Sequence, residues 1–304
     1  MTKPIPVILH TDIGTDIDDT WALGMMLLRK ELRPLLILTD TGDTIGRAKI
    51  CARMLENARR TEVEVGAGIP GDPAKCPVHQ TEWVKNYSLS AYPGKYHEDG
   101  ISRLIEIVTA SGTPVTLVSI GPTPSLAEAL RRCPGIASKI DFVGMFGSIR
   151  TGYNGASGAC AEYNVFADLS SCQAVFRAPW RSAAITPLDT CGQVKLTGEL
   201  YEKVERSPLG ITRDIVANYH VWSAAQKRTV PPVESTTLYD TVAVHMAYSR
   251  EFLRMEKLKL SVHEKALTVE DPSGGMPFDT ALSWTDLEGY HRYLADLLNP
   301  NTRR

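Results

Sequence analysis

The sequence of 304 residues contains no CxxC pair. Its cysteines, Cys51, Cys76, Cys133, Cys160, Cys172 and Cys191, are dispersed, which fits reduced thiols and not a zinc site or a disulfide framework. Cys160 is expected to be a small packing residue. No stretch approaches about 18 uninterrupted apolar residues, so no helix should span a membrane. Met1-Thr2-Lys3-Pro4 leads into a strand pattern without a secretory hydrophobic region, and the expected location is cytoplasmic. Charge of one sign is also missing. The net charge is -2, and the pairs Arg131-Arg132 and Arg303-Arg304 are too short for a nucleic-acid footprint. Neither nucleic acid nor a membrane is therefore expected as a partner. Without a repeat or a low-complexity linker, residues 1–304 are expected to form one domain.

What is present is an alternation of short apolar runs with helical patterns. Strands are expected near 7–9, 35–39, 63–67, 115–120, 140–145 and 183–187. Helices are expected between them, with others over 211–228 and 240–248 and a terminal one over 286–298. The rhythm predicts an α/β fold, a single domain with a mostly parallel central sheet flanked by helices around a Rossmann-like core. A late strand or hairpin is expected near 258–266. Trp284, Tyr290 and Tyr293 are expected to pack and not to touch a ligand.

Acid residues are concentrated where the first strand meets the first helix, in His10-Thr11-Asp12-Ile13-Gly14-Thr15-Asp16-Ile17-Asp18-Asp19. One or two of them are explained as turn or helix-capping residues. Asp12, Asp16, Asp18, Asp19 and the later Asp40 together are not. A close pair of like charges costs on the order of 4 kcal/mol at intermediate dielectric, so gathering them calls for a cation, protons or a polyhydroxylated ligand. The run lies at the carboxyl end of a strand, where open α/β sheets bind ligands.

The opening run resembles the signature of the calcium-dependent nucleoside hydrolases, the inosine-uridine preferring ribohydrolases, whose first strand ends in Asp-x-Asp-Pro-Gly-x-Asp-Asp. The run here is two residues longer and has His10 at the first Asp. Three further segments resemble the family in the same order: Val118-Ser119-Ile120-Gly121-Pro122, Ala161-Glu162-Tyr163-Asn164 followed by Asp168, and Leu238-Tyr239-Asp240. The resemblance implies a nucleoside hydrolase fold and cleavage of the N-glycosidic bond of ribonucleosides to ribose and free base. It implies calcium held by Asp12, Asp19, the carbonyl of Ile120 and Asp240. It implies Asp12 as the base that activates water, Asp18, Glu162 and Asn164 on the ribose hydroxyls, and Asn154 towards the 5′ end. The partner is then a nucleoside or other ribosyl substrate, and the assembly a homodimer or homotetramer.

Several positions depart from the family pattern. Tyr239 stands where purine-cleaving members carry histidine, which makes a phenol the candidate for assisting the leaving base. Trp83, His97, Tyr219, His220 and Trp222 are further ring-facing candidates, each of which is more simply explained as a core or surface packing residue. Asp40 and Asp43 are expected either near the metal or as a helix cap, and His10 either as a partner of Asp12 or Asp240 or as a satisfied core residue. Gly147-Ser148 resembles a glycine-rich family turn that permits close backbone approach. Two competing functions remain open at this point. Asp16-Ile17-Asp18-Asp19-Thr20 matches the nucleophile loop of haloacid-dehalogenase-like phosphatases, and the changes at His10 and Tyr239 would also suit a non-catalytic ribose or nucleotide sensor.

Overall fold

Residues 3–300 are described by the computed structural model; Arg303 and Arg304 lie outside them. The strands are β1 (Ile5–Thr11), β2 (Leu32–Thr39), β3 (Glu64–Ala67), β4 (Tyr96–His97), β5 (Val115–Ser119), β6 (Ile140–Met145), β7 (Ser182–Thr186), β8 (Leu253–Val262), β9 (Thr268–Glu270) and β10 (Met276–Trp284). They form one sheet in the order β4-β3-β2-β1-β5-β6-β7-β10-β8-β9. Pairing is parallel from β4 across to β10, after which β8 pairs antiparallel with β10 and β9 with β8. The expected α/β architecture with a mostly parallel sheet is what the chain adopts.

Both faces of the sheet are covered, which is why β1 is buried at every position from Val7 to Thr11. Side chains alternate between two cores. Val7 and Leu9 pack with the helices Asp18–Leu28, Gly210–Ala225, Tyr239–Met246 and Leu287–Leu298. Ile8 packs on the other side with the helices Gly100–Ala110, Pro124–Arg132 and Leu169–Arg177. Trp284, Tyr290 and Tyr293 belong to the first core, as expected.

Chain order places the site. From β1 the chain moves outward through β2, β3 and β4, then returns to β5 on the other side of β1. The strand order reverses there, leaving a crevice at the carboxyl ends of β1 and β5. Asp12 directly follows β1, and Ile120 directly follows β5.

The structure adds elements that periodicity did not show. β10 inserts between β7 and β8, and its Pro277 and preceding Gly274-Gly275 had weakened its strand signal. The expected strand at 258–266 is the second half of the longer β8 plus its turn. Short helices at Tyr163–Ala167 and Leu188–Cys191 also went unpredicted. No helix among the described residues is long and apolar enough to cross a membrane.

Candidate active site

Asp12 leaves β1 into a turn that Gly14 makes with φ of 109°, and Asp18 and Asp19 then open the helix Asp18–Leu28. Opposite them, Asp240 opens the helix Tyr239–Met246, and its backbone N–H donates to Asp18 Oδ2 at 3.3 Å. Ligand oxygens of Asp18, Asp19 and Asp240 lie within 4.8 Å of one another. Thr11 orients Asp19 by donating its hydroxyl to Asp19 Oδ1. The Asp12 carboxylate lies over Gly121, where a Cβ would come within 2.7 Å of Asp12 Oδ1. A glycine is needed there so that the end of β5 can approach Asp12 closely.

These acids face a cavity of about 320 Å³, together with Ile120, Glu162, Asn164 and Tyr239. Burial pushes Asp18, Asp19 and Asp240 well above the usual carboxylate range, and the neighbouring aspartates push them further. Burial raises Asp12 as well, but the nearby Arg47 guanidinium opposes the rise. A bound cation would stabilise carboxylates buried this close in their anionic forms. The donor set of hard oxygens suits calcium, which accepts six to eight of them in irregular geometry. The residues present therefore fit such an ion.

The opposite wall is built after β6. Gly147, in a left-handed conformation with φ of 79°, donates its N–H to Glu162 Oε2 at 2.9 Å. Glu162 also accepts from the N–H groups of Asn164 (2.8 Å) and Val165 (3.3 Å), which caps the helix Tyr163–Ala167. Burial pushes its carboxyl up to about 7, against those three donors. Asn164 donates its side-chain amide to the Met145 carbonyl at 3.0 Å, which leaves its carbonyl oxygen for a ligand. Asp189 holds the glycine loop from below, accepting from the N–H groups of Ile149, Arg150 and Thr151 at 2.9, 2.8 and 3.0 Å.

The model of the inosine-uridine preferring nucleoside hydrolases matches residues 7–286. The chain belongs to that family. Similar to it is a pyrimidine-specific ribonucleoside hydrolase of Shewanella sp. (strain MR-7), 26% identical over 221 residues, which are 67% of this chain and 65% of that protein. The chain thus spans about 65% of the length of this curated relative. Among solved structures, a plant nucleoside hydrolase superposes with a TM-score of 0.79 at 21% identity, covering 98% of this chain and 99% of the other. An inosine-uridine preferring nucleoside hydrolase from Bacillus anthracis gives 0.74 at 20% identity, covering 96% and 99%. At these identities the superpositions speak for the fold.

In this nucleoside hydrolase family member, the fold brings Asp12, Asp18, Asp19, Ile120, Glu162, Asn164, Tyr239 and Asp240 to one cavity. Asn154 is not among the lining residues; its neighbour Tyr153 is. The oxygens that cluster most closely include Asp18 and not Asp12. Trp222 lines the cavity, whereas Trp83, His97, Tyr219 and His220 do not. Trp83 lies under the Arg53 guanidinium, and His97 contacts Glu64 at 2.8 Å. His10 is a satisfied core residue, 2.8 Å from Asp40 and 2.9 Å from Ser119, and touches neither Asp12 nor Asp240. Asp40 also accepts from the Ser125 N–H at 2.8 Å, and Asp43 caps the helix Thr44–Asn57, so neither lines the cavity.

Sequence reasoning missed Thr15, Met145, Tyr153, Tyr163 and Gln226, all in the lining. Tyr163 carried a signal, since it lies between Glu162 and Asn164. Gln226 carried none, because it is the residue just beyond the helix Gly210–Ala225 and takes part in no motif. The phosphatase alternative is set aside by family membership.

Proposed function

We propose that the protein is a ribonucleoside hydrolase that adds water across the N-glycosidic bond and releases ribose and the free base. The observation that carries this reading is the convergence of Asp12, Asp18, Asp19, Glu162, Asn164 and Asp240, from three distant segments, on one cavity. Asp12, Asp19, Asp240 and the Ile120 carbonyl would hold calcium, and its preference for six to eight oxygens leaves room for Asp18. When bound, the ion would neutralise the acid cluster and lower the pKa of an attacking water.

Asp12 accepts the proton of that water, and the Arg47 charge favours the ionised form it needs. Glu162, Asn164 and Asp18 orient the ribose diol. As the bond to the base breaks, positive charge develops on the sugar, and the surrounding carboxylates stabilise it. The base lies against the aromatic wall of Tyr239, Tyr153 and Trp222. Burial holds the Tyr239 phenol at about 12, so it assists the departing base with a hydrogen bond and not by full proton transfer at neutral pH.

The test is a reducing-sugar assay on uridine, cytidine, inosine and adenosine, with calcium and with a chelator. Ribose release that the chelator abolishes is the expected result. No release from any riboside would overturn the proposal.

A further inference from the structure

The cavity is lined by six carboxylates and four aromatic rings, and by no lysine, arginine or histidine. Five of the carboxylates are taken up by the proposed metal and ribose contacts, which leaves Asp16. Trp222 Nε1 donates to the Thr15 carbonyl at 3.1 Å, so the turn carrying Asp16 is fastened to the helix Gly210–Ala225. Trp222 on that helix joins Tyr153, Tyr163 and Tyr239 in the cavity lining. One Asp16 oxygen accepts from the Ile17 N–H at 2.7 Å, and the other has no protein hydrogen bond among the described residues. The rings of Tyr153 and Tyr239 stand edge to face, 6.3 Å apart, on the same cavity. The Arg228 guanidinium, 5.4 Å from the Trp222 ring, and the His79 ring lie outside the lining, and both act on Asp16 electrostatically.

Aromatic faces beside a carboxylate recognise a cation: the ring quadrupole and the anion both attract positive charge, whereas a neutral base gains only stacking. We infer that this cavity is built for ribosides whose base carries a positive charge, the N-ribosyl pyridinium class, with Asp16 as the residue that selects that charge. The inference rests on the ribosyl hydrolase reading above.

The chemistry balances without an acid. Water oxygen bonds to the anomeric carbon, the C–N bond breaks, and its electron pair passes to the ring nitrogen to give a neutral pyridine. The water proton goes to Asp12 and then to solvent. Such a leaving group needs no proton, which suits a cavity with no ammonium, guanidinium or imidazole to supply one.

The test compares kcat/KM for nicotinamide riboside and uridine in the calcium-supplied protein and in Asp16→Asn. Calorimetry measures binding of the N-methylnicotinamide cation and of neutral nicotinamide to the same two proteins. The pyridinium riboside is expected to be preferred about tenfold or more, and Asp16→Asn to cut that ratio about tenfold, with a matching loss of preference for the cation in calorimetry. Uridine cleaved faster, with a ratio that Asp16→Asn leaves unchanged, overturns the inference and leaves the hydrolase reading intact. Selective cation binding that depends on Asp16, with no riboside turned over, upholds charge recognition and overturns the hydrolase reading.

Discussion

The guanidinium of Arg47 donates to the carbonyl oxygen of Ile13 at 2.9 Å. The same group donates to the carbonyls of Asp12, of Thr41 at 2.9 Å and of Cys76 at 3.0 Å. It is completely buried and has no carboxylate ion pair among the described residues. Arg47 thus ties the loop after β1, the loop after β2 and the segment around Cys76 into one unit beneath Asp12. Arg47→Met should leave the carbonyls of Ile13, Thr41 and Cys76 without a donor, and that of Asp12 with only the Thr15 N–H, and cost about 3 kcal/mol or more of stability, measured by urea unfolding. Arg47→Lys should recover only part of this, because one ammonium cannot span the positions that the planar fork reaches. A loss under about 1 kcal/mol in Arg47→Met would mean that water replaces the guanidinium.

Asp12 separates chemistry from folding. Its carboxylate is buried and burial already disfavours the charge, so an amide of the same shape should be tolerated. Asp12→Asn is expected to lower kcat by about 10³-fold or more, in line with losing a general base, while the thermal midpoint of the calcium-free protein holds or rises. A collapsed midpoint would assign Asp12 a structural role instead.

Much of this site was legible because its chemistry is concentrated in short runs. Asp12, Asp18 and Asp19 lie within one short run between the end of β1 and the first turn of the next helix, and a run at the end of a buried strand has few places to point. The partner of His10 was not legible: Asp40 directly follows β2 and Ser119 ends β5, the two strands that flank β1, and only the sheet order brings them together. Arg47 was hidden because a basic residue early in a helix ordinarily faces solvent, and its burial depends on three loops folding over it. Asn154 illustrates the limit of matching loops. It sits in a left-handed conformation with φ of 56° and is exposed, while the adjacent Tyr153 lines the cavity. A one-residue offset in an irregular segment carries no periodic signal.

Calcium should act on stability as well as on rate. With the oxygens of Asp18, Asp19 and Asp240 within 4.8 Å of one another, an ion bound among them favours the folded chain by mass action. Raising free calcium to about a hundred times its Kd should add about 2.7 kcal/mol. Scanning fluorimetry of chelated protein titrated with calcium reads this directly as a rising midpoint. Magnesium should do less, since it demands a tighter octahedral shell and gives up its waters reluctantly. In Asp240→Asn the calcium response should shrink, and an undiminished response would place the ion elsewhere.

The helix that carries Asp240 also carries His245, and this residue makes acid stability a separate prediction. Its Nε2 lies 3.0 Å from the Glu251 carbonyl, which can only accept, so Nε2 holds the proton and Nδ1 accepts from the Tyr248 hydroxyl at 3.2 Å. Tyr290, Tyr293 and Phe252 surround the ring at 5.3, 5.4 and 5.8 Å. Burial pushes the imidazole down to about 4, against about 6.5 in an unfolded chain. As pH falls below about 6.5, the unfolded state takes up a proton that the folded state refuses, so stability present at neutral pH is lost between about 6.5 and 4. The loss from this one group should reach about 3 kcal/mol at its fullest. Urea midpoints of chelated protein at pH 7.5 and pH 5 should therefore fall further for the wild type than for His245→Phe, which has nothing to protonate. Equal falls in the two proteins would show that His245 is not the group responsible.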